Sequence, residues 1–323
     1  MKQFWEDVGI SIVMGLIMPA VVLGMAVSLR SVLMPAQNAG QPTPQTENVM
    51  PQAMIGVLTA DGQIADLPLD DYLTGVVLAE MPVSFEDEAI KAQSVVARTY
   101  AVRARERAPR HEAAAVCTES SCCQGYVESS VFLSRGGKEK DLEHIRELVA
   151  ATAGQVLTYD GELIEATYFS CSGGTTEDAV AVWGTDVPYL QSVASPGEEH
   201  ATHYTDTVSF TAAEFAGLLG ETPASDPQDW FGQTTFTRGG GVATQEIGGK
   251  TYSGTELRKL LGLRSTAFEI NADVDTVTVT TRGYGHRVGM SQYGADAMAA
   301  AGSTYAEILS HYYQGAELTL YTD

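Results

Sequence analysis

LDDYLTGVVLAEMPVSFEDEAIKAQSVVARTY, residues 69–100, decides how the chain is read, because it sets two helices on either side of a sharp break. Pro82 cannot continue a helix and biases the residue before it towards extended backbone, so the first helix ends at Glu80 or Met81. Glu80 follows Val76, Val77, Leu78 and Ala79 and precedes Met81 and Pro82. A carboxylate in that setting is expected to lie against apolar surface, where desolvation disfavours the charged form and makes a proton donor. The plainer reading of Glu80 is a solvated residue at a helix end. Residues 85–107 read as the second helix, with Lys91 and Arg98 seven apart on one face and Gln93 on a neighbouring face. Those cations read either as a wall of a cleft for a polar substrate or as an exposed face.

Working outward, residues 9–29 are uncharged and apolar over about 20 positions, the length that crosses a bilayer as a helix. Residues 1–30 are therefore expected to be a single membrane anchor, with a cleaved signal peptide as the alternative. Lysine and arginine are too sparse around the segment to set its orientation. Residues 31–52, rich in Pro, Gln and Asn, read as a flexible linker. The remaining residues, 53–323, carry the composition of a globular domain, the whole chain being 44% hydrophobic and 8% aromatic. A net charge of -22, from 41 acidic and 19 basic residues, argues against a nucleic-acid partner, whose phosphates would be repelled.

Within that domain, residues 54–67 form an expected hairpin about Asp61-Gly62, and QVLTYDGELIEATYFS, residues 155–170, another about Asp160-Gly161. Residues 141–153 read as a helix. Residues 204–265, with two short helical stretches flanking a glycine-rich piece, are a candidate inserted subdomain, and 268–281 alternates as a strand pair. The expected fold class is α+β, helices packed with antiparallel hairpins. The glycine cluster around His286 lacks the spacing of a nucleotide loop, and neither G-x-S-x-G nor H-E-x-x-H occurs. His286, with Tyr284, Ser291, Gln292 and Tyr293, is placed either in a polar cleft or in structural packing. Trp183 and Tyr189 are aromatic surfaces suited to sugar rings or to a core.

His111, Cys117, Cys122 and Cys123 put four nitrogen and sulfur donors in one short loop, the set that structural tetrahedral zinc sites use. A disulfide is the competing reading; bridging Cys122 to adjacent Cys123 would be strained, and pairing Cys117 with either leaves a free thiol. Cys171 reads as a small buried residue.

Together LxxYLxGVVxxEMP, AxKAQxVxARTYA, TYxSxSGG and GHxVGMSQYGAxxMA, in that order, resemble the stage II sporulation protein D (SpoIID) family of peptidoglycan lytic transglycosylases. The resemblance runs from the first hairpin to ILSHYYQGAEL near the end of the chain. It implies that Glu80 is the catalytic acid and that Lys91, Gln93, Arg98, Tyr100, Tyr126, Tyr168, Ser170, Ser172, Gly173 and Gly174 shape a glycan groove. It also implies cleavage of the MurNAc-GlcNAc β-1,4 bond of peptide-stripped strands without water, no catalytic cofactor, and a domain outside the cytoplasm, anchored in the mother-cell membrane and facing the forespore. A cell-wall amidase and a membrane scaffold protein are the partners it implies. A non-catalytic module that positions an amidase is the rival function. Two departures stand out: Phe169, where the family often has Tyr-His-Ser before its SGG, and Arg287, where it often has Gly-His-Gly-Val.

Overall fold

The first hairpin forms because Thr59, Ala60, Asp61 and Gly62 close a turn in which Thr59 Oγ1 donates to Asp61 and Gly62 takes φ 80°. The strands it joins, β1 (Met54–Leu58) and β2 (Ile64–Pro68), pair antiparallel from Met54 opposite Pro68. The computed structural model describes residues 53–107, 110–220 and 226–322, all within one unit, Met50–Asp323. The expected anchor and linker lie outside the described residues, among which no helix is long and apolar enough to cross a membrane.

Helix α1 (Leu69–Glu80) starts with Asp70 and Asp71 in its first turn, where negative charge suits the helix dipole, and ends as Met81 turns extended ahead of Pro82. Helix α2 (Asp87–Glu106) carries Asp87 and Glu88 at its start and Arg103 and Arg105 at its end. It is the axis of the main core and packs against α1, against α4 (Glu139–Ala151) and against elements from the end of the chain. Ala89, Ala92, Ala97 and Ala101 are fully buried along it, and their small side chains let those neighbours approach. Strand β3 (Val116–Cys117) pairs parallel with β1, and the short helix α3 (Ser129–Ser134) precedes α4.

Strands β4 (Gln155–Tyr159) and β5 (Glu162–Leu163) form the second hairpin, with Asp160 at φ 50° and Gly161 at φ 80°, the pair of positive angles that a two-residue turn of this kind needs. Its second arm is shorter than the sequence led us to expect. Ile164 and Ala166 bury into the main core and draw the chain away, so Tyr168–Phe169 is a separate strand, β6, followed by helix α5 (Ala179–Trp183).

The next stretch builds a second hydrophobic core around Phe215, Trp230, Tyr252, Leu257, Val277 and Val279. It comprises β7 (Thr205–Thr211), α6 (Ala212–Leu219), β8 (Phe231–Phe236), β9 (Val242–Ile247), β10 (Lys250–Ser253), α7 (Gly254–Leu260), β11 (Ala267–Ala272) and β12 (Thr276–Arg282). The expected boundary at 265 falls inside it, because β12 pairs with both β7 and β11 and cannot be separated from them. The chain then returns to the main core as β13 (Met290–Ser291), α8 (Gln292–Ala300), α9 (Tyr305–Tyr312) and β14 (Glu317–Leu320). Strand β14 pairs antiparallel with β4, and β13 pairs parallel with β6. The sheets are thus antiparallel apart from two rungs of two residues each, β1 with β3 and β6 with β13.

Arg287 ties the two cores together. Its guanidinium is 2% exposed and donates to Ser172 O at 2.7 Å, Thr175 O at 2.8 Å and Gly239 O at 2.7 Å. It also pairs with Glu177 at 3.1 Å, and Glu177 accepts from Thr237 and from the Gly241 amide of the second core. Its φ of 68° is a left-handed conformation that glycine adopts more readily, which these bonds offset.

Arg98 corrects an expectation. It is 1% exposed and reaches inward to Val149 O at 3.1 Å, Thr152 Oγ1 at 3.2 Å and Asp70 at 3.4 Å, joining α1, α2 and α4. Removing a charge built into the core in this way leaves the buried Val149 carbonyl and Thr152 hydroxyl without their cation and opens a cavity between three helices, while Asp70, 40% exposed, returns to water. Arg98→Ala is therefore expected to lower the unfolding free energy by about 3 kcal/mol or more in urea titration. A variant as stable as the parent would show that Arg98 does not hold the helices together.

Candidate active site

Glu80 sits where α1 stops and is half-buried at the edge of a cleft of about 790 Å³. The segment 122–126, CCQGY, closes over it. Gly125 N–H donates to Glu80 Oε1 at 2.6 Å, and a Cβ on residue 125 would stand 2.9 Å from that oxygen, too near for any side chain without displacement. Next to it Gln124, 1% exposed, accepts from Tyr72 Oη at 3.4 Å and donates from Nε2 to Tyr168 Oη at 3.3 Å. Because Gln124 occupies the Tyr168 oxygen as a donor, the phenol's own proton is left to point elsewhere, and it faces Glu80. Burial, and then the charge of Glu80, push the Tyr168 phenol's pKa well up, so it stays protonated as a hydrogen-bond donor. Tyr126 stacks on Tyr72 with ring centroids 5.6 Å apart.

The opposite wall comes from the β6 to β13 pairing and the turn before it. Tyr168, Phe169 and Ser170 line it together with Tyr284, His286 and Gln292. His286 packs edge-on to Phe169 at 5.6 Å and beside Trp183 at 5.3 Å, and its Nδ1 accepts from Val288 N–H. Burial, helped by the charge of Arg258, lowers its pKa to about 4, so the imidazole is neutral at pH 7. Trp183 is 45% exposed, its ring tilted against that of His286.

Of the residues singled out in the sequence, the structure brings Glu80, Tyr100, Tyr126, Tyr168 and Ser170 to this one cleft. Lys91, Gln93, Arg98, Ser172, Gly173 and Gly174 do not line it. Lys91 is held by Glu88 at 2.7 Å, and Gln93 is fully buried. Arg98 is therefore structural, because it is buried between α2 and the helices packed on it, while Lys91 is partly exposed in its pair with Glu88. The SGG turn likewise serves an internal carboxylate: Ser172 N and Oγ and Gly173 N all donate to Glu198 Oε2, at 2.6, 2.8 and 2.9 Å. Glu198 is fully buried, and its other oxygen accepts from Ser195.

Gln124, Gly125 and Glu119 escaped sequence reasoning. Their signal was adjacency: they lie within the cysteine loop, whose metal donors drew attention away from its polar neighbours. Asp70 and Asp71, the acidic residues nearest to Glu80 in the helix, are not in the cleft; Asp70 pairs with Arg98, and Glu119 is the other carboxylate among the described lining residues.

The four loop donors do converge. The ligand atoms of His111, Cys117, Cys122 and Cys123 all lie within 4.8 Å of one another, with His111 Nε2 3.4 Å from Cys123 Sγ and 3.7 Å from Cys122 Sγ. The four cysteines of the chain are free thiols, and Cys171 is fully buried. Arg110 donates to the Cys122 carbonyl and lies 3.9 Å from its sulfur.

Comparison with known proteins places this geometry in context. The Stage II sporulation protein family model matches residues 59–159, the stretch from the first hairpin through α1, α2 and the cysteine loop to β4. The chain is 42% identical to Stage II sporulation protein D of Bacillus subtilis (strain 168), over 81% of this chain and 77% of that protein. It is 41% identical to the Bacillus amyloliquefaciens protein of the same name, with the same coverage. It is also 29% identical, over 77% of its length, to a Bacillus subtilis protein named Amidase enhancer, of which it covers 40%. An identity above two-fifths over four-fifths of the chain, with Glu80 among the residues that the family model matches, makes this chain a member of the Stage II sporulation protein D family.

Proposed function

We propose that the chain is a membrane-anchored lytic transglycosylase that cleaves the MurNAc-GlcNAc β-1,4 bond of peptide-stripped glycan strands during sporulation, its catalytic domain outside the cytoplasm and facing the forespore. The observation that carries this reading is the setting of Glu80: one carboxylate at a helix end, gripped by a backbone amide at 2.6 Å and faced by a protonated tyrosine, in a cleft of about 790 Å³. In the reaction the Glu80 carboxyl gives its proton to the glycosidic oxygen as the bond from MurNAc C1 to that oxygen breaks. The resulting carboxylate then takes the proton of the same sugar's C6 hydroxyl as O6 bonds to C1, closing an anhydro ring and restoring the acid. The Gly125 and Tyr168 donors stabilise the carboxylate between the two steps. Water takes no part, so a second carboxylate is not required.

The likeness to a protein named Amidase enhancer favours a second reading, a glycan-binding positioner of a cell-wall amidase, with a membrane scaffold as a further partner. Glutamate chemistry separates the two. Glu80→Gln keeps the side chain's size and removes its proton transfer. It should lower the release of anhydromuramyl ends, measured by mass spectrometry on purified strands, by about a hundredfold or more. Parent protein that releases none would leave the positioner; release of ordinary reducing ends, lost in Glu119→Gln, would make it a hydrolase.

We also propose that His111, Cys117, Cys122 and Cys123 hold one structural zinc ion. Zinc–sulfur bonds of about 2.3 Å at the tetrahedral angle put ligand atoms about 3.7 Å apart, close to the separations found here. Four protein donors leave no open position for substrate, and Arg110 balances the excess negative charge of three thiolates. Elemental analysis should find about one zinc per chain, and Cys117→Ser should lose it with a fall in melting temperature. Metal-free protein of unchanged stability would favour thiol pairing instead.

A further inference from the structure

The cleft wall opposite Glu80 holds a donor with nothing to donate to. Gln292 opens α8, and its place follows from the β6 to β13 rung: Ser291 pairs with Phe169, and the Ser170 carbonyl accepts from Ser291 Oγ at 3.3 Å and Tyr293 N–H at 3.0 Å. Gln292 is thereby carried to the wall of the cleft beside Ser170. It is 6% exposed, and its amide nitrogen Nε2 has no hydrogen-bond partner.

A buried amide nitrogen without an acceptor is uncommon in a folded protein and asks for an explanation. Across the same cleft Gln124 uses both ends of its amide, accepting from Tyr72 and donating to Tyr168. Gln93 is also unmatched, at both ends, but it lies inside the main core and not on the cleft. Of these three glutamines, Gln292 is the one whose orphan donor belongs to a side chain lining the cavity. Nε2 itself is buried, and rotation about the broad terminal torsion is what presents it to the cleft.

What it would meet there is set by its surroundings. A neutral His286 ring, backed by the buried Phe169, lies along the same wall, so the wall joins one amide donor to an aromatic face. A ligand group that matches it has a carbonyl acceptor with a small apolar substituent, which is the chemistry of an acetamido group. We infer that Gln292 is a substrate-contacting residue that reads the acetamido group of an N-acetylated sugar in the Glu80 cleft. Nε2 donates to the acetamido carbonyl, and the methyl group lies against the aromatic patch. An N-deacetylated sugar presents an ammonium there, which has donors and no acceptor, and leaves the amide unmatched. This inference rests on the reading of the cleft as a glycan site.

The test measures binding of the N-acetylglucosamine tetramer and the glucosamine tetramer to the full-length chain carrying Glu80→Gln, which prevents turnover, by calorimetry at pH 7. The parent should prefer the acetylated tetramer. Adding Gln292→Leu should weaken that binding about tenfold, the effect of one lost hydrogen bond to a neutral partner. The melting temperature should stay level or rise, since Nε2 bonds nothing within the protein. Gln292→Glu, which offers acceptors and a negative charge, should turn the preference towards glucosamine. Equal binding of both tetramers by the parent, or unchanged acetylated binding in Gln292→Leu, would overturn the inference; so would a fall in melting temperature in both variants with weakened binding of both sugars alike. Anhydromuramyl ends from the wild-type chain together with a silent Gln292 would leave the Glu80 chemistry standing alone. Acetyl-selective binding lost in Gln292→Leu, without anhydromuramyl ends, would leave the subsite standing and remove the transglycosylase.

Discussion

Two residues of parallel pairing, Tyr168 with Met290 and Phe169 with Ser291, hold the cleft together. Ser170 and Ser291, linked at the end of this rung, are 121 positions apart in the chain, and the whole second core is strung between them. So short a ladder contributes little by itself. Its persistence comes from what surrounds it: Met290 is fully buried, Tyr313 Oη donates to the Thr167 carbonyl at 2.7 Å, and the Gly289 backbone lies against Thr167 so closely that a Cβ there would stand 2.1 Å from the Thr167 oxygen. From this rung the wall with Tyr168, Ser170 and Gln292 is projected towards the end of α1, where Glu80 waits.

Much of the main core was legible in the sequence because its signals are local. Pro82 marked the end of α1, and Asp-Gly pairs marked both hairpins. The parallel rungs were not legible, since two-residue strands carry no periodicity and their partners lie far along the chain. Arg98 was misread for a related reason. A cation on a helix face is exposed in most proteins, and only the packing of α4 against α1 and α2 turns that face inward. Ser172, Gly173 and Gly174 were placed in a groove by the family resemblance, but the Ser172 and Gly173 donors are consumed by Glu198, 26 and 25 residues further on, and Gly174 N–H donates to Ser172 Oγ.

The site's own logic concentrates in five residues, 122–126. Cys122 and Cys123 belong to the cluster of metal donors, Gln124 orients Tyr168, Gly125 grips Glu80 and Tyr126 stacks under the cleft on Tyr72. A segment this short cannot move at one end and stay fixed at the other. Whatever holds the cysteines in place therefore also sets the distance from the Gly125 amide to the Glu80 carboxylate.

The second core leaves and rejoins the main one at a single point. Thr205 and Arg282 face each other across β7 and β12, and Gly283 N–H donates to Tyr204 O at 2.8 Å. Chain ends that close are joined by a tight turn without stretching anything beyond them, and closing a short loop costs little entropy. The stretch between them is thus a cassette in physical terms, entered and left through one pair of facing residues. Arg287 and Glu177 are the fastening that holds this cassette to the main core.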